Sequence, residues 1–500
     1  MGVSGADRVA ELVAENTLLR ARCDEQQSHI ARLVEQNSVL VDQVSLLVTK
    51  VMVLEKLLKG DSSNSSRPPS SDSDTAKNKR PVANSRTMNP GTKRSKGKQP
   101  GAQGRTLRTV PDPDVVIVHS PVACQGCGSS LDDAVVVGKV VRQVFDIPAP
   151  KVIVTEHQAL RCRCSCGSET SAPLPAEATS PACYGPNVKA YAIYLLCRQH
   201  VPQERCAEAL AEMFGVAVSV GTLNNWLSEA ADALDSFVAA VTIGLGQAPV
   251  IHVDETPVRS NKTKAYFHVA CTAMLTLLWV HIGGRARTAI DAGPLPSYAG
   301  VAVHDRYIAY FSYPCGHALC NAHILRQLQS VAEVRRQQVW TNPISDLIRA
   351  TKTEVDNAAA AGKTCLLDRR MRRIRHDWDH LIAVAYATNP DPPKSKPRNY
   401  LEREAYNLAV ALDTHRDLFL AYATNFNINY TNNQAEQDLR MVKIQAKISG
   451  EFRSLRGAQR FATIRSYIST THKHGLSILD NIARLYTTTG PWLPPLTPTG

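Results

Sequence analysis

The sequence predicts a multidomain α+β chain: an N-terminal coiled coil, a zinc-binding β-rich module, a helix-turn-helix, and an α/β core interrupted by a helical insertion. Three observations predict it. Apolar residues recur in heptads near the N-terminus, cysteines gather in two close groups between Cys124 and Cys166, and the aspartates Asp254 and Asp305 end apolar, strand-like runs. With 57 Lys and Arg against 45 Asp and Glu the formal charge is +12 and the isoelectric point about 9.1, a balance that favours polyanionic partners through counterion release. Ribosomal and membrane-surface proteins share that balance, so charge alone does not identify the partner.

Residues 1–60 carry the heptads. Leu12, Leu19, Gln26, Leu33, Leu40, Leu47 and Leu54 fall in one core register, and Val9, Asn16, Cys23, Ile30, Asn37, Val44, Val51 and Leu58 in the other. Leucine in the first register, with β-branched residues and two asparagines in the second, favours a parallel homodimer. The rival reading is a helix packed on its own domain. Gly60 and the serines beyond it end the coil. Residues 61–112 are rich in Ser, Pro, Gly, Lys and Arg, with too little apolar area to fold. Between Ala76 and Thr109 lie ten Lys or Arg and no acid, a pattern that suits a solvated linker, a DNA-contacting arm, or both.

Residues 113–175 hold Cys124-Gln-Gly-Cys127-Gly and Cys162-Arg-Cys164-Ser-Cys166-Gly. A CxxC turn followed by Gly lets two thiolates face one tetrahedral zinc, and a second pair completes the site. The second group departs from CxxC, offering three cysteines for two places. Cys164 and Cys166, next to Gly167, are favoured, with Cys162 as the alternative; four thiolates leave no open position, so the zinc would be structural. Thirteen cysteines, an odd number spread along the chain, argue against a secreted disulfide framework.

Residues 180–245 suit a helix-turn-helix region. Pro202 to Phe214 is an amphipathic helix pattern, Gly215 permits a turn, and Ser219 opens a second helix on which Thr222, Asn224 and Asn225 are candidates for reaching base edges.

The core begins with residues 246–310. Ala248 to Asp254, Ala265 to Ala270 and Leu275 to His281 are strand-like, a helix-compatible stretch starts near Arg285, and Val301 to Asp305 is strand-like again. Strand parity puts Asp254 on the face of His252 and turns Glu255 away from it. Three strands, a helix and a strand, with acids ending the first and last strands, make the ribonuclease-H-like layout. Residues 311–425 form a helical insertion, whose basic Arg369 to Arg375 stretch is either a DNA clamp or a solvated face. Residues 426–475 return to the core, and 476–500 form a tail.

The third acid, Glu436, lies on a helix for which Asn432 or Asn433 is the expected N-cap. Arg440, Lys443 and Lys447 share its face by helical spacing. A solvated face with one Glu–Arg pair is the simpler explanation of that helix, worth only about 0.3 kcal/mol. Taken with two strand-end aspartates, Glu436 completes a site for two divalent ions of the Mg²⁺ or Mn²⁺ type, and the cations would lie where phosphates pass.

At His252-Val-Asp254-Glu-Thr256, Val303-His-Asp305-Arg-Tyr307, Cys320-Asn-Ala-His323, Asn432-Asn433-Gln-Ala-Glu436-Gln-Asp-Leu-Arg440 and Ser449-Gly450-Glu-Phe-Arg453-Ser454 the chain resembles the insertion-sequence 66 transposases with a DDE catalytic core. The likeness runs from about residue 10 to 485, and the Asn-Asn-x-Ala-Glu block is its most specific part. The resemblance implies Asp254, Asp305 and Glu436 as metal-binding triad, Lys443 as a basic position near DNA, and a structural zinc domain. It also implies cleavage and strand transfer of DNA, with an element's terminal inverted repeats and target DNA as partners. Small accessory transposition proteins are further candidate partners, and a prokaryotic, cytoplasmic, nucleoid-associated setting is expected, with no membrane. Cys320 and His323 match a CxxH pattern that the family places after the second aspartate, for which a supporting role and metal binding are both open. The rival functions are a structure-specific DNA nuclease on the same core and a non-catalytic DNA-binding repressor.

Overall fold

The computed structural model describes residues 107–148, 150–175, 178–335, 337–391 and 401–495, together with a scatter of helical positions between 16 and 36. Most of the expected coil, and the basic segment up to residue 106, lie outside the described residues. The chain divides into two compact units, Met1–Phe145 and Asp146–Gly500. In the first, the chain around Cys124 folds into a tight knuckle closed by an isolated bridge between Ala123 and Ser130. The second begins with two three-residue antiparallel strands, β1 (Arg161–Arg163) and β2 (Glu169–Ser171). Regular strand in the zinc-region sequence is therefore sparser than expected.

The second unit is built on a five-stranded sheet. Its strands are β3 (Val250–Ser260), β4 (Thr263–Cys271), β5 (Thr276–Ile282), β6 (Val301–His304) and β7 (Gly316–Leu319), in the order β5-β4-β3-β6-β7. β3, β4 and β5 pair antiparallel, and β6 and β7 run parallel to β3. Two features differ from the sequence expectation. β3 does not stop at Asp254 but continues six residues, past Pro257, to a two-residue turn at Asn261 and Lys262, both at positive φ as such hairpins require. Proline is tolerated there because β6 has already left that side of β3, so the edge makes no ladder. β7 lies in what the sequence suggested was the start of the helical insertion. Four residues leave it too short for a periodic signal. Gly300 is needed for β6 to enter the sheet: a Cβ there would sit 2.7 Å from the carbonyl oxygen of Pro249.

The helices α1 (Pro186–Ile193), α2 (Gln203–Phe214), α3 (Val220–Asp232) and α4 (Asp235–Gln247) precede the sheet, and a short α5 (Arg287–Ile290) follows β5. α2 ends at Gly215 in the left-handed conformation, and Ser219 caps α3 by accepting from the Thr222 N–H, so the pair forms where the sequence placed it. It is not a separate domain: Leu210, Leu223 and Trp226 are buried in the same core as Phe267, Val269 and Tyr467.

α6 (Asn321–Arg335), α7 (Gln338–Ala360), α8 (Asp368–Thr388), α9 (Leu401–Thr414), α10 (Arg416–Phe419) and α11 (Ala421–Thr424) form the insertion around a second core containing Trp340, Trp378 and Phe419. The chain then returns through α12 (Asn433–Ile448), α13 (Leu455–Lys473) and α14 (Ile478–Arg484). α13 covers the outer edge of β5: Ser466 and Thr470 accept the Leu278 and Thr276 backbone N–H groups at 2.8 and 3.1 Å, removing an open strand edge. The expected tail is corrected in part, since Ile482 and Leu485 are buried in the main core and Tyr486 donates to the Trp226 carbonyl.

Candidate functional site

The register of the sheet brings the two aspartates together. β3 and β6 pair as Val250 with Val301, Ile251 with Ala302 and His252 with Val303, after which the strands diverge. Asp254 and Asp305 each stand two residues beyond the last pair, so the same register continued would set them opposite each other, across strands that lie about 4.8 Å apart while paired. Burial first, then the charges of Glu255, Asp305 and Glu436, push Asp254 up to about 7 against one opposing backbone bond from the Glu255 N–H. Asp305 and Glu436 therefore both act on Asp254. Asp305 accepts the Tyr307 N–H at 2.8 Å, and Arg285 Nη2 lies 3.9 Å from its other oxygen.

The start of α12, which carries Glu436, is pinned to β3. Asn432 heads the helix, as expected, but its side chain does not cap it. The buried amide instead donates to the Val253 carbonyl at 2.8 Å and meets His252 Nδ1 at 3.0 Å, while its backbone N–H points to Cys320 Sγ at 3.1 Å. One turn later Glu436 comes within 3.6 Å of His323 Nε2 and 3.7 Å of Arg326 Nη2. Its Oε1 and the His323 Nδ1 are buried without a hydrogen-bond partner. On the far side of α12, Asp438 accepts from Thr276 at 3.0 Å and from Lys473 at 2.8 Å, tying the helix to β5 and α13. Arg440, Lys443 and Lys447 are exposed on α12.

Glu255 acts on Asp254 through its charge, but its own oxygens are taken up by other side chains. Its side chain is 2% exposed, with one oxygen held by Arg285 and the other by the Tyr310 hydroxyl. Arg285, which also stacks on Tyr307 with 4.0 Å from its guanidinium carbon to the ring centre, is a site residue that sequence reading missed. It follows a Gly-Gly turn and belongs to no periodic pattern. Asp305, Arg285, Arg306, Cys320, His323 and Gln327 line a cleft of about 470 Å³ at the carboxyl ends of the parallel strands, where open α/β sheets place their ligands.

A buried Glu436 oxygen without a hydrogen-bond partner and an Asp254 whose charge is disfavoured would each be relieved by a nearby cation.

The two cysteine knuckles share one construction. Cys124 N–H donates to Ser129 and Gly128 N–H back to Cys124, at 2.8 and 2.9 Å; Cys164 N–H donates to Ser168 and Gly167 N–H back to Cys164, also at 2.8 and 2.9 Å. Gly128 and Gly167 both take positive φ, which explains the glycine after each group. The second knuckle is one residue shorter, so Cys164 and Cys166 occupy the places of Cys124 and Cys127, whereas Cys162 belongs to β1. Hydrogen bonds from Ser168 bring Cys166 down to about 7, and those from Ser129 lower Cys127 in the same way.

The helix-turn-helix candidates separate. The Asn224 amide is engaged by Gln203 and the Val220 carbonyl, a correction to its reading as a base contact, because helix-pair packing consumes the group. The Thr222 hydroxyl joins the Ser219 cap, and Asn225 is exposed. In the insertion, Arg370 and Arg375 bridge to Glu354 and Asp417, leaving Arg369, Arg372 and Arg373 exposed. Among the described residues no helix is long and apolar enough to cross a membrane.

Comparison with known proteins gives three family matches. Residues 181–460, more than half the chain, match the model described as Transposase IS66 family. Residues 121–167 match the zinc-finger binding domain of transposase IS66, and residues 14–108 match a Family of unknown function (DUF6444). The chain is also 22% identical over 421 residues, 74% of its length and 72% of the relative's, to the Uncharacterized protein y4hP of Sinorhizobium fredii (strain NBRC 101917 / NGR234).

Proposed function

The chain belongs to the IS66 transposase family and carries that family's zinc-finger region; from that premise we propose that it cuts and joins DNA strands by DDE chemistry on a ribonuclease-H-like core. The observation that supports the reading is the shared register position of Asp254 and Asp305, together with the pinning of the start of α12, which carries Glu436, to β3.

In this reading Asp254, Asp305 and Glu436 hold two Mg²⁺ or Mn²⁺ ions. When bound, these supply the positive charge that phosphodiester displacement needs at the attacking and leaving oxygens. The chain's own residues do the rest. Arg440, Lys443 and Lys447 bind backbone phosphates along one exposed face of α12, and Arg285, held by Glu255, keeps Asp305 oriented. In cleavage a water oxygen would attack the scissile phosphorus and lose its proton to solvent as the P–O bond to the 3′ oxygen breaks, leaving a 5′-phosphate and a 3′-hydroxyl; that hydroxyl would then form a P–O bond with a target phosphorus in line, releasing a target-strand 3′-hydroxyl, with no covalent protein intermediate. Cys124, Cys127, Cys164 and Cys166 hold the structural zinc, residues 180–245 contribute to reading the element ends through Thr222 and Asn225, and residues 1–60 pair two copies.

The test is cleavage and strand transfer on a DNA carrying the element's end. Asp254→Asn, with unchanged folding, is expected to lower both by a hundredfold or more, about the scale of losing one transition-state electrostatic contact. Unchanged strand transfer in that variant sinks the assignment, and hydrolysis without joining in the unmodified protein would make it a nuclease instead.

A further inference from the structure

The same edge of the sheet carries a second constellation. Cys320 follows β7 directly, its backbone N–H donating to the His304 carbonyl at 3.0 Å, and α6 begins at the next residue. His323 is three residues on, so helical spacing returns its ring toward the side of Cys320. α12 then supplies Glu436. One ligand atom from each of Cys320, His323 and Glu436 lies within 4.8 Å of the other two.

We propose that Cys320, His323 and Glu436 form a binding site for one thiolate-preferring divalent cation of the Zn²⁺ class, sharing Glu436 with the magnesium site. The sharing rests on the catalytic reading above; the site itself does not.

Four observations carry it. The first is distance: a tetrahedral zinc with bonds of about 2.0–2.3 Å sets its ligand atoms roughly 3.4–3.7 Å apart, and His323 Nε2 to Glu436 Oε1 is 3.6 Å. The second is an unanswered polar atom, since the Glu436 Oε1 that faces His323 is buried and accepts no hydrogen bond. The third is the surroundings of the sulfur. Asn432 donates its backbone N–H to Cys320 Sγ at 3.1 Å. A backbone donor to sulfur is what a metal-bound thiolate needs from its support. The fourth is access, because Cys320 and His323 line the open cleft beside Asp305.

The ligand types choose the ion. Mg²⁺ and Ca²⁺ take oxygen ligands, whereas one thiolate, one imidazole and one carboxylate suit Zn²⁺, with the fourth position left to the cleft. Arg326 Nη2, 3.7 Å from the same Glu436 oxygen, opposes a cation there, but its side chain is 63% exposed and free to swing into solvent. The site is separate from the zinc-finger cysteines, which end at Cys166.

The experiment is a Co²⁺ titration of the metal-free, reduced full-length chain, read by the visible bands of tetrahedral cobalt and its sulfur charge-transfer absorption. Cys320→Ser is expected to bind one equivalent fewer than the unmodified chain, and Cys124→Ser to leave that equivalent in place. Because Cys320 is buried, His323→Gln, at a partly exposed residue, serves as the second variant and is expected to weaken the same equivalent by at least about tenfold. Unchanged stoichiometry and affinity in both Cys320→Ser and His323→Gln overturns the proposal. Asp254→Asn separates the two readings: loss of cleavage with the cobalt equivalent retained supports both, and retained cleavage with the equivalent lost only in Cys320→Ser leaves the cation site standing while the DDE assignment fails.

Discussion

Asp254 stands where its own charge is unwelcome. Burial, with Glu255, Asp305 and Glu436 close by, holds its carboxyl up at about 7, against an unfolded value of about 3.9. The folded state therefore keeps a proton that the unfolded state has released between about pH 4 and 7, and stability falls as pH rises through that window. The contribution is fully present below the unfolded value and lost above about 7, with an upper size of about 4 kcal/mol from a shift of some three units. Asp254→Asn removes the titration while keeping the oxygen that accepts the Glu255 N–H. In metal-free protein the variant is expected to match the unmodified chain near pH 4 and to exceed it in denaturant unfolding at pH 8. Adding Mg²⁺ at pH 8 is expected to stabilise the unmodified chain and not the variant. A stability difference that does not grow with pH would count against this account. At this scale the sequence was informative where a residue ends an apolar run, as Asp254 and Asp305 do just beyond the paired part of β3 and β6. It was silent on Arg285, whose role comes from tertiary packing on Tyr307 and Glu255.

Elements place those residues, and α12 is fixed from two sides. At its start the Asn432 amide joins Val253 and His252. Asn432→Ala strands a buried carbonyl and an imidazole nitrogen, so a loss of about 1–3 kcal/mol is expected by urea unfolding. Cleavage is expected to fall further than the folded fraction alone explains, with DNA affinity kept; equal cleavage per folded molecule would show that the clamp does not position Glu436. Further along, Asp438 and Lys473 are each 10% exposed and pair at 2.8 Å. Lys473→Met leaves a buried carboxylate without its counter-charge, supported by the Thr276 hydroxyl, and about 3–5 kcal/mol of stability is expected to be lost, whereas a loss below 1 kcal/mol would mean that water reaches Asp438. Both ties join residues more than thirty positions apart, which is why periodicity predicted the helix but not its anchors. The same limit explains β7 and α14, where runs of four and seven residues acquire their state from neighbours. β3 was cut short for a different reason, since Pro257 normally ends a strand and here faces an edge that β6 has vacated.

Across the whole molecule the excess of twelve positive charges matters only where it is displayed toward DNA. In the insertion, two of the arginines that gave that stretch its basic look, Arg370 and Arg375, are held in ion pairs between helices. Arg440, Lys443 and Lys447 have no such ion-pair engagement among the described contacts, and they share an exposed face beginning one turn after Glu436. The sequence spacing alone was enough to align them, because a helix fixes its faces whatever it packs against. If that face follows the phosphates leading into the carboxylates, each cation displaces a counterion on binding. The slope of log affinity against log salt then carries about 0.9 per contact on duplex DNA. Replacing all three by Gln is expected to flatten the slope by about 2.7 and to weaken binding most at low salt. Unfolding stability should stay within about 0.5 kcal/mol, since the residues are exposed. Filter binding of one duplex over a range of potassium chloride concentrations measures it. An unchanged slope would place the DNA on another face, and α12 would then not align the phosphate with Glu436.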